Sequence, residues 1–198
     1  MKHLIIYTHP NPKSFCAAVR DTYAAALQSA GHETETLDLY ALKFKPALDG
    51  DDFAAFAAKQ LPDDIKAAQA AIARAEVITF IYPIWWMSFP AILKGFLDRV
   101  LIKGFAYDFG EQGPRGLMTG KKVILINTTG MPRASYEAAG INSQIKKLTA
   151  DGIFGFCGFE IVRHIFLYAV PFIPAEERTT LLGNIKAFAE SGGPAKNP

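Results

Sequence analysis

An α/β fold, with a parallel sheet covered by helices on both faces, is predicted by three features of the sequence. Short apolar runs recur at residues 4–7 (LIIY), 76–82 (EVITFIY) and 121–127 (KKVILIN). Turn-forming residues follow each run, and segments with apolar residues at helical spacing lie between them. Strands that are apolar on both faces must be buried on both faces, and crossover helices meet that condition when the strands run parallel.

Taken in order, the strand at 4–7 is ended by T-H-P-N-P at 8–12. Ser14 is placed to cap the next helix, whose apolar positions Phe15, Val19, Tyr23 and Leu27 share one face before Gly31 stops it. Residues 33–39 alternate as a strand. Residues 51–75 are Ala-rich and helical, divided in two by Pro62. After the strand at 76–82, Pro90 lies in the first turn of a helix with Leu93, Phe96, Leu97 and Val100 as its apolar stripe. A Gly-rich loop leads to the strand at 121–127, which ends in Thr128-Thr129-Gly130. A helix over 136–149, a strand over 159–167 and a helix over 175–189 complete a single domain spanning 1–198.

Composition narrows the function. Half of the 198 residues are hydrophobic and 20% are charged, which suits one domain with an ample core. A net charge of +2 without a dense Lys/Arg block argues against nucleic acid or an anionic membrane surface as partner. No secretion signal is recognisable and no apolar run approaches the ~20 residues that span a bilayer, so a cytoplasmic protein acting on small molecules is expected. Cys16 and Cys157 lie outside any C-x-x-C pattern, and His3, His32 and His164 lack metal-ligand spacing, so neither a disulfide nor a metal site is expected.

In open α/β sheets, ligands bind beyond the carboxyl ends of the strands. Three loops fall there: 9–16, 83–87 and 128–136. The first offers His9, the Ser14 hydroxyl and the free amides opening a helix, which together suit a phosphate. Neither G-x-G-x-x-G nor G-x-x-x-x-G-K-[ST] occurs, so the phosphate is held by another device. The second loop supplies Trp85 and Trp86, and the third supplies hydroxyls and close backbone approach. A flavin meets these demands. Each feature also has a plainer reading. The tryptophans suit a core or an interface, T-T-G suits an ordinary turn, and Tyr136 suits a buried ring. Phe105, Tyr107 and Phe109 suit an edge strand, a dimer surface or a substrate pocket, and Lys94 suits a solvated face.

Several motifs in order give a more specific signal: H-P-N-P-K-S-F at 9–15, D-L-Y-A-L-K-F-K-P at 38–46, P-I-W-W-M-S-F-P-A-I-L-K-G-F-L-D-R-V at 83–100, F-A-Y at 105–107, T-T-G at 128–130 and F-C-G-F at 156–159. Across most of its length the chain resembles the NAD(P)H quinone reductase (DT-diaphorase) family. That family also holds bacterial drug-activity modulators and ancillary subunits of potassium efflux systems. The resemblance implies a flavodoxin-like, doubly wound five-stranded parallel sheet in the order 2-1-3-4-5. It implies that His9, Ser14, Phe15 and Cys16 contact the pyrophosphate, the last where the family often has Asn. It further places Pro83, Ile84, Trp85, Trp86 and Met87 along the isoalloxazine, and Thr128, Thr129, Gly130 and Met131 at its pyrimidine edge. Trp86, Tyr107, Phe109 and Phe156 match substrate-pocket positions, some supplied by the second subunit of a homodimer.

The implied activity is ping-pong hydride transfer from NADH or NADPH, through FAD or alternatively FMN, to a quinone or similar electrophile. Such a cofactor needs a donor at its N1/O2 edge, and the Tyr136 phenol can supply one at neutral pH. In relatives this tyrosine works with a histidine six residues later. Asn142 stands there in this chain; it can hydrogen-bond but cannot titrate. Two other readings remain. One is an ancillary subunit of a potassium efflux transporter. The other is a one-electron carrier, although the T-x-T-G-x-T loop of flavodoxins is absent.

Overall fold

The computed structural model describes residues 1–191. Five strands form the main sheet in the order β2-β1-β3-β6-β7. They are β1 (Lys2–Tyr7), β2 (Glu33–Asp38), β3 (Val77–Pro83), β6 (Lys122–Thr128) and β7 (Glu160–Leu167), and every neighbouring pair is parallel. The expected order 2-1-3-4-5 is the order found. The switch point lies between β1 and β3, where the chain turns from building one half of the sheet to building the other.

Alternation along the strands feeds two cores. Leu4, Ile6, Ile78, Phe80, Val123 and Leu125 point to one face and pack on α3 (Asp63–Arg74) and α4 (Ala91–Val100) through Ala68, Ile72, Leu93 and Phe96. Ile5, Tyr7, Val77, Ile81, Ile124 and Ile126 point to the other and pack on α1 (Phe15–Ser29) and α7 (Ala175–Glu190) through Val19, Tyr23, Leu27 and Ile185. Burial on both faces explains why the three central strands are almost wholly apolar. Ser14 caps α1 as expected, accepting from the Ala17 amide at 3.1 Å, and Gly31 ends it at a φ of 80°. Pro62 separates α2 (Gly50–Ala57) from α3, and the buried Arg99 guanidinium ties α4 to α2 by paired 2.9 Å bonds to Asp52.

Two expectations need correction. The Gly-rich loop before β6 contains a hairpin, β4 (Tyr107–Gly110) with β5 (Gly113–Gly116), antiparallel and separate from the main sheet. Of the alternating aromatics, Tyr107 and Phe109 belong to that hairpin and not to an edge of the main sheet, and Phe105 precedes it. Gly116 crosses the 157–158 turn so closely that a Cβ there would lie 2.2 Å from the Cys157 carbonyl carbon, and Gly158 adopts a φ of 90°. The helix expected over 136–149 is broken into α5 (Arg133–Ala138), α6 (Ile141–Ile145) and a π-helical run, Lys146–Gly155. Gly140, at a φ of 64°, ends α5. The Thr149 hydroxyl then takes the Ile145 carbonyl at 2.7 Å, an acceptor that an α-helix reserves for the Thr149 amide.

Candidate functional site

A cavity of about 570 Å³ opens beyond the carboxyl ends of β1, β3 and β6. Its wall brings together His9, Ser14, Phe15 and Cys16, then Pro83, Ile84, Trp85 and Trp86, then Thr128, Thr129 and Gly130. Three loops far apart in sequence meet here because parallel strands deliver their carboxyl ends to one edge.

The β1–α1 loop is tightly bonded. The Asn11 amide donates to His9 Nδ1 at 3.0 Å, the Lys13 amide to Asn11 Oδ1 at 2.9 Å, and the Ser14 amide to the Asn11 carbonyl at 3.1 Å. Because Nδ1 of His9 accepts a bond, the neutral ring carries its proton on Nε2. Partial burial lowers the His9 pKa, favouring that neutral form. Tyr7 Oη lies 3.3 Å from Ser14 Oγ, fixing the cap from below. Phe15 and Cys16, whose amides open α1 and have no acceptor within the helix, line the cavity. Cys16 Sγ sits 3.1 Å from Thr128 Oγ1, and burial pushes its thiol pKa up to about 11, so it serves as a neutral spacer.

The β3–α4 loop is different. Trp85 and Ser88 exchange backbone bonds of 3.1 and 3.0 Å across a two-residue turn. Trp86 and Met87 occupy its centre at φ values of 49° and 58°. Such turns ordinarily use Asn-Gly, so two bulky residues there are held against their conformational preference. Trp85 makes an edge contact with His9, ring centroids 5.9 Å apart, whereas Trp86 is 99% exposed.

At the third loop, Thr128 accepts from the Ile84 amide at 2.9 Å through its carbonyl, and the Thr129 hydroxyl donates to the Met131 carbonyl at 2.9 Å. A Cβ at Gly130 would meet no protein atom. Tyr136 is buried behind this loop among Ile84, Ile145 and Tyr168 and does not line the cavity. Burial raises its phenol pKa, partly offset by a hydrogen bond with the Thr129 side chain. Met87 and Met131 are exposed and lie outside the cavity wall. Asn142 lies outside it too, in a groove along β7. Tyr107 and Phe156 line a third depression beside α4, their rings 5.3 Å apart, with the exposed Phe109 against Tyr107 at 5.9 Å.

Sequence reasoning missed three members of the cavity wall: Val170, Pro171 and Arg178. They follow β7 and open α7, so the rule that led to the other three loops applied equally to the loop after the last strand. Arg178 Nε is buried and has no hydrogen-bond partner among the described residues. A buried guanidinium nitrogen left unbonded beside a cavity marks a place for an anion. Among the described residues, no group of three His, Cys, Asp or Glu side chains could hold a metal ion.

Comparison with known proteins places the chain. The family described as having a flavodoxin-like fold matches residues 1–189. An uncharacterised NAD(P)H oxidoreductase of Haemophilus influenzae is 37% identical over 82% of this chain and 81% of its own length. Human ribosyldihydronicotinamide dehydrogenase [quinone] is 31% identical over 89% of this chain and 85% of its own. The structure of a candidate quinone reductase from Klebsiella pneumoniae superposes with a TM-score of 0.92 at 30% identity, covering 99% of this chain and 86% of that one. With its sheet order, its three-loop cavity and relatives matched along most of its length, this chain belongs to the flavodoxin-like fold family and, within it, to the NAD(P)H quinone reductases.

Proposed function

We propose that the protein is a flavin-dependent NAD(P)H:quinone oxidoreductase, acting as one flavin-binding domain over 1–198 in the cytoplasm. The observation that carries this reading is the single cavity that gathers helix-opening amides, stacking surface and hydroxyl-rich backbone at one sheet edge. The residues fit the group: the orphaned Arg178 Nε and the capped start of α1 provide for phosphate, and the open space over Gly130 admits a heterocycle edge. FAD is proposed, with FMN as the alternative. When bound, the flavin accepts hydride from NADH or NADPH and delivers it to a quinone or similar electrophile.

The chain's own residues then have distinct tasks. His9 Nε2–H, the Phe15 and Cys16 amides and Arg178 neutralise the phosphates. Pro83, Ile84 and Trp85 form one wall for the ring, while Thr128, Thr129, Gly130 and the adjoining Met131 backbone serve its polar edge. Tyr136 keeps its proton at neutral pH and holds the Thr129 side chain at that edge from behind. Asn142 cannot titrate and, like Tyr136, lies outside the cavity wall, so the proton is assigned to water, with Tyr136 acting through Thr129 as a positioning residue.

Trp86, Met87, Phe109 and Phe156 leave large apolar surfaces exposed. A homodimer in which the second subunit covers them would complete a substrate slot of Trp86, Tyr107, Phe109 and Phe156 over the cavity. A cytoplasmic setting agrees with two buried free cysteines, and among the described residues no helix is long and apolar enough to cross a membrane.

The test is direct. The purified protein should be yellow, or become so with added flavin, and should oxidise NAD(P)H faster when a benzoquinone is present. A colourless protein that cannot be reconstituted would overturn the reading.

A further inference from the structure

A second large cavity, about 700 Å³, runs along β7 and shares no lining residue with the first. β7 is an edge strand, so its outer side faces this groove and not another strand. On it, His164 stacks on Phe166 (ring centroids 4.4 Å, interplanar angle 18°) and Phe166 on Tyr168 (6.0 Å, 17°), giving a ladder of flat rings. The Lys146 ammonium lies 5.9 Å from the Phe166 ring centre and the Arg133 guanidinium 5.6 Å from that of Tyr168. Cations thus sit beside a stacking surface.

Hydrogen bonding fixes the protonation of the first ring. Asn127 Nδ2 donates to the Tyr82 carbonyl at 3.4 Å, which turns Asn127 Oδ1 to His164 Nε2 at 2.6 Å. Since Oδ1 can only accept, Nε2 carries the proton and Nδ1 presents a bare lone pair. That Nδ1 is buried and lacks a partner among the described residues, as does Asn142 Oδ1 in the same wall. Burial and the Lys146 charge lower the His164 pKa to about 3, so Nδ1 remains an acceptor at neutral pH. Buried acceptors without donors are rare, and two in one cavity call for a ligand that brings N–H or O–H groups. Glu137 pairs with Arg133 at 3.3 Å and Asp151 adds a further acid, which favours one carboxylate over a polyanion.

We propose that this groove is a second small-molecule site, for a planar phenol carrying one carboxylate. The ring lies on the β7 ladder, the hydroxyl donates to His164 Nδ1, and the carboxylate meets Lys146 and Arg133. The chemistry differs from that of the first cavity, which offers donors to phosphate.

Calorimetric titration of the flavin-loaded protein with 4-hydroxybenzoate tests the site. Saturable binding is expected. It should weaken at least ten-fold in Lys146→Ala and in His164→Phe, which keeps the stack but removes the acceptor, and remain unchanged in Trp86→Ala. Benzoate should bind at least ten-fold more weakly. Should His164→Phe fail to fold, Lys146→Ala and the benzoate comparison decide. Absence of saturation at millimolar ligand would overturn the proposal. So would binding abolished by Trp86→Ala but kept by the groove variants, since the ligand would then occupy the redox slot.

Discussion

Between β1 and α1 the amides of Asn11, Lys13, Ser14 and Ala17 are all bonded within the loop, whereas between β3 and α4 the chain turns through two left-handed bulky residues and leaves an indole in solvent. Both loops face the same cavity. The first is complete without a partner, because its geometry is fixed by its own hydrogen bonds and by burial on α1. The second stores conformational strain and exposes apolar surface, and the proposed homodimer would cover it. On the proposed reading the phosphate end is preformed, and the substrate end would be finished by a second subunit.

The sharpest way to break this contrast is at the phosphate end. Arg178→Ala should weaken flavin binding by about 10- to 100-fold, the loss expected for a charge-assisted hydrogen bond of about 1.5–3 kcal/mol. Fluorescence titration of flavin-free protein measures it, and unchanged affinity would remove Arg178 from the site. At the polar edge, Tyr136→Phe should slow flavin reduction by NAD(P)H about ten-fold while flavin affinity holds; stopped-flow absorbance separates the two. At the substrate end, Trp86→Ala should raise KM for the quinone several-fold and favour monomers, with flavin content intact. Size-exclusion chromatography with kinetics reads both effects.

Acid should act mainly outside the two loops, at His164 on β7, whose pKa burial lowers to about 3, and at the amino end of β1. His3 is buried with both ring nitrogens unpartnered among the described residues, and burial, reinforced by His32 and the amino terminus, lowers its pKa from 6.5 to about 4. The folded protein holds it neutral, while the unfolded chain binds a proton below about 6.5, so stability falls from pH 6.5 towards pH 4. Denaturant melts across that range should lose of order 2 kcal/mol from this group. His3→Leu should flatten the slope, and an unchanged slope would assign it elsewhere. The smallest effect is expected at Met87→Gly. Relief of its positive φ should stabilise the monomer by about 1 kcal/mol, or a Tm rise of roughly 2–4 °C, without loss of flavin.

The same contrast governs what the sequence reveals. Sheet order and the three loops were legible because buried parallel strands must be apolar and their ends must meet. The hairpin was not, since the alternation of Tyr107 and Phe109 is too short to identify a strand, G-P-R-G has none, and the pair gains its position from Gly116 and Gly158 crossing at backbone contact. The break in the 136–149 helix was hidden because apolar spacing continues through it, while Gly140 and the Thr149 hydroxyl redirect the backbone. Arg178 was missed because a lone arginine at the start of an amphipathic helix ordinarily faces water. The tryptophans line the cavity at the end of β3, where the strand pattern put them, but the full exposure of Trp86 was not legible, because it comes from a left-handed turn. Asn142 was assigned beside Tyr136 from the resemblance, which has a histidine at that position, and after the helix break it lines the β7 groove.

The initial-rate pattern with NAD(P)H and a benzoquinone varied against one another tests the central claim most directly. One cavity serving the hydride donor and the acceptor in turn predicts parallel double-reciprocal lines. Intersecting lines would show both substrates bound together and would contradict a shared site.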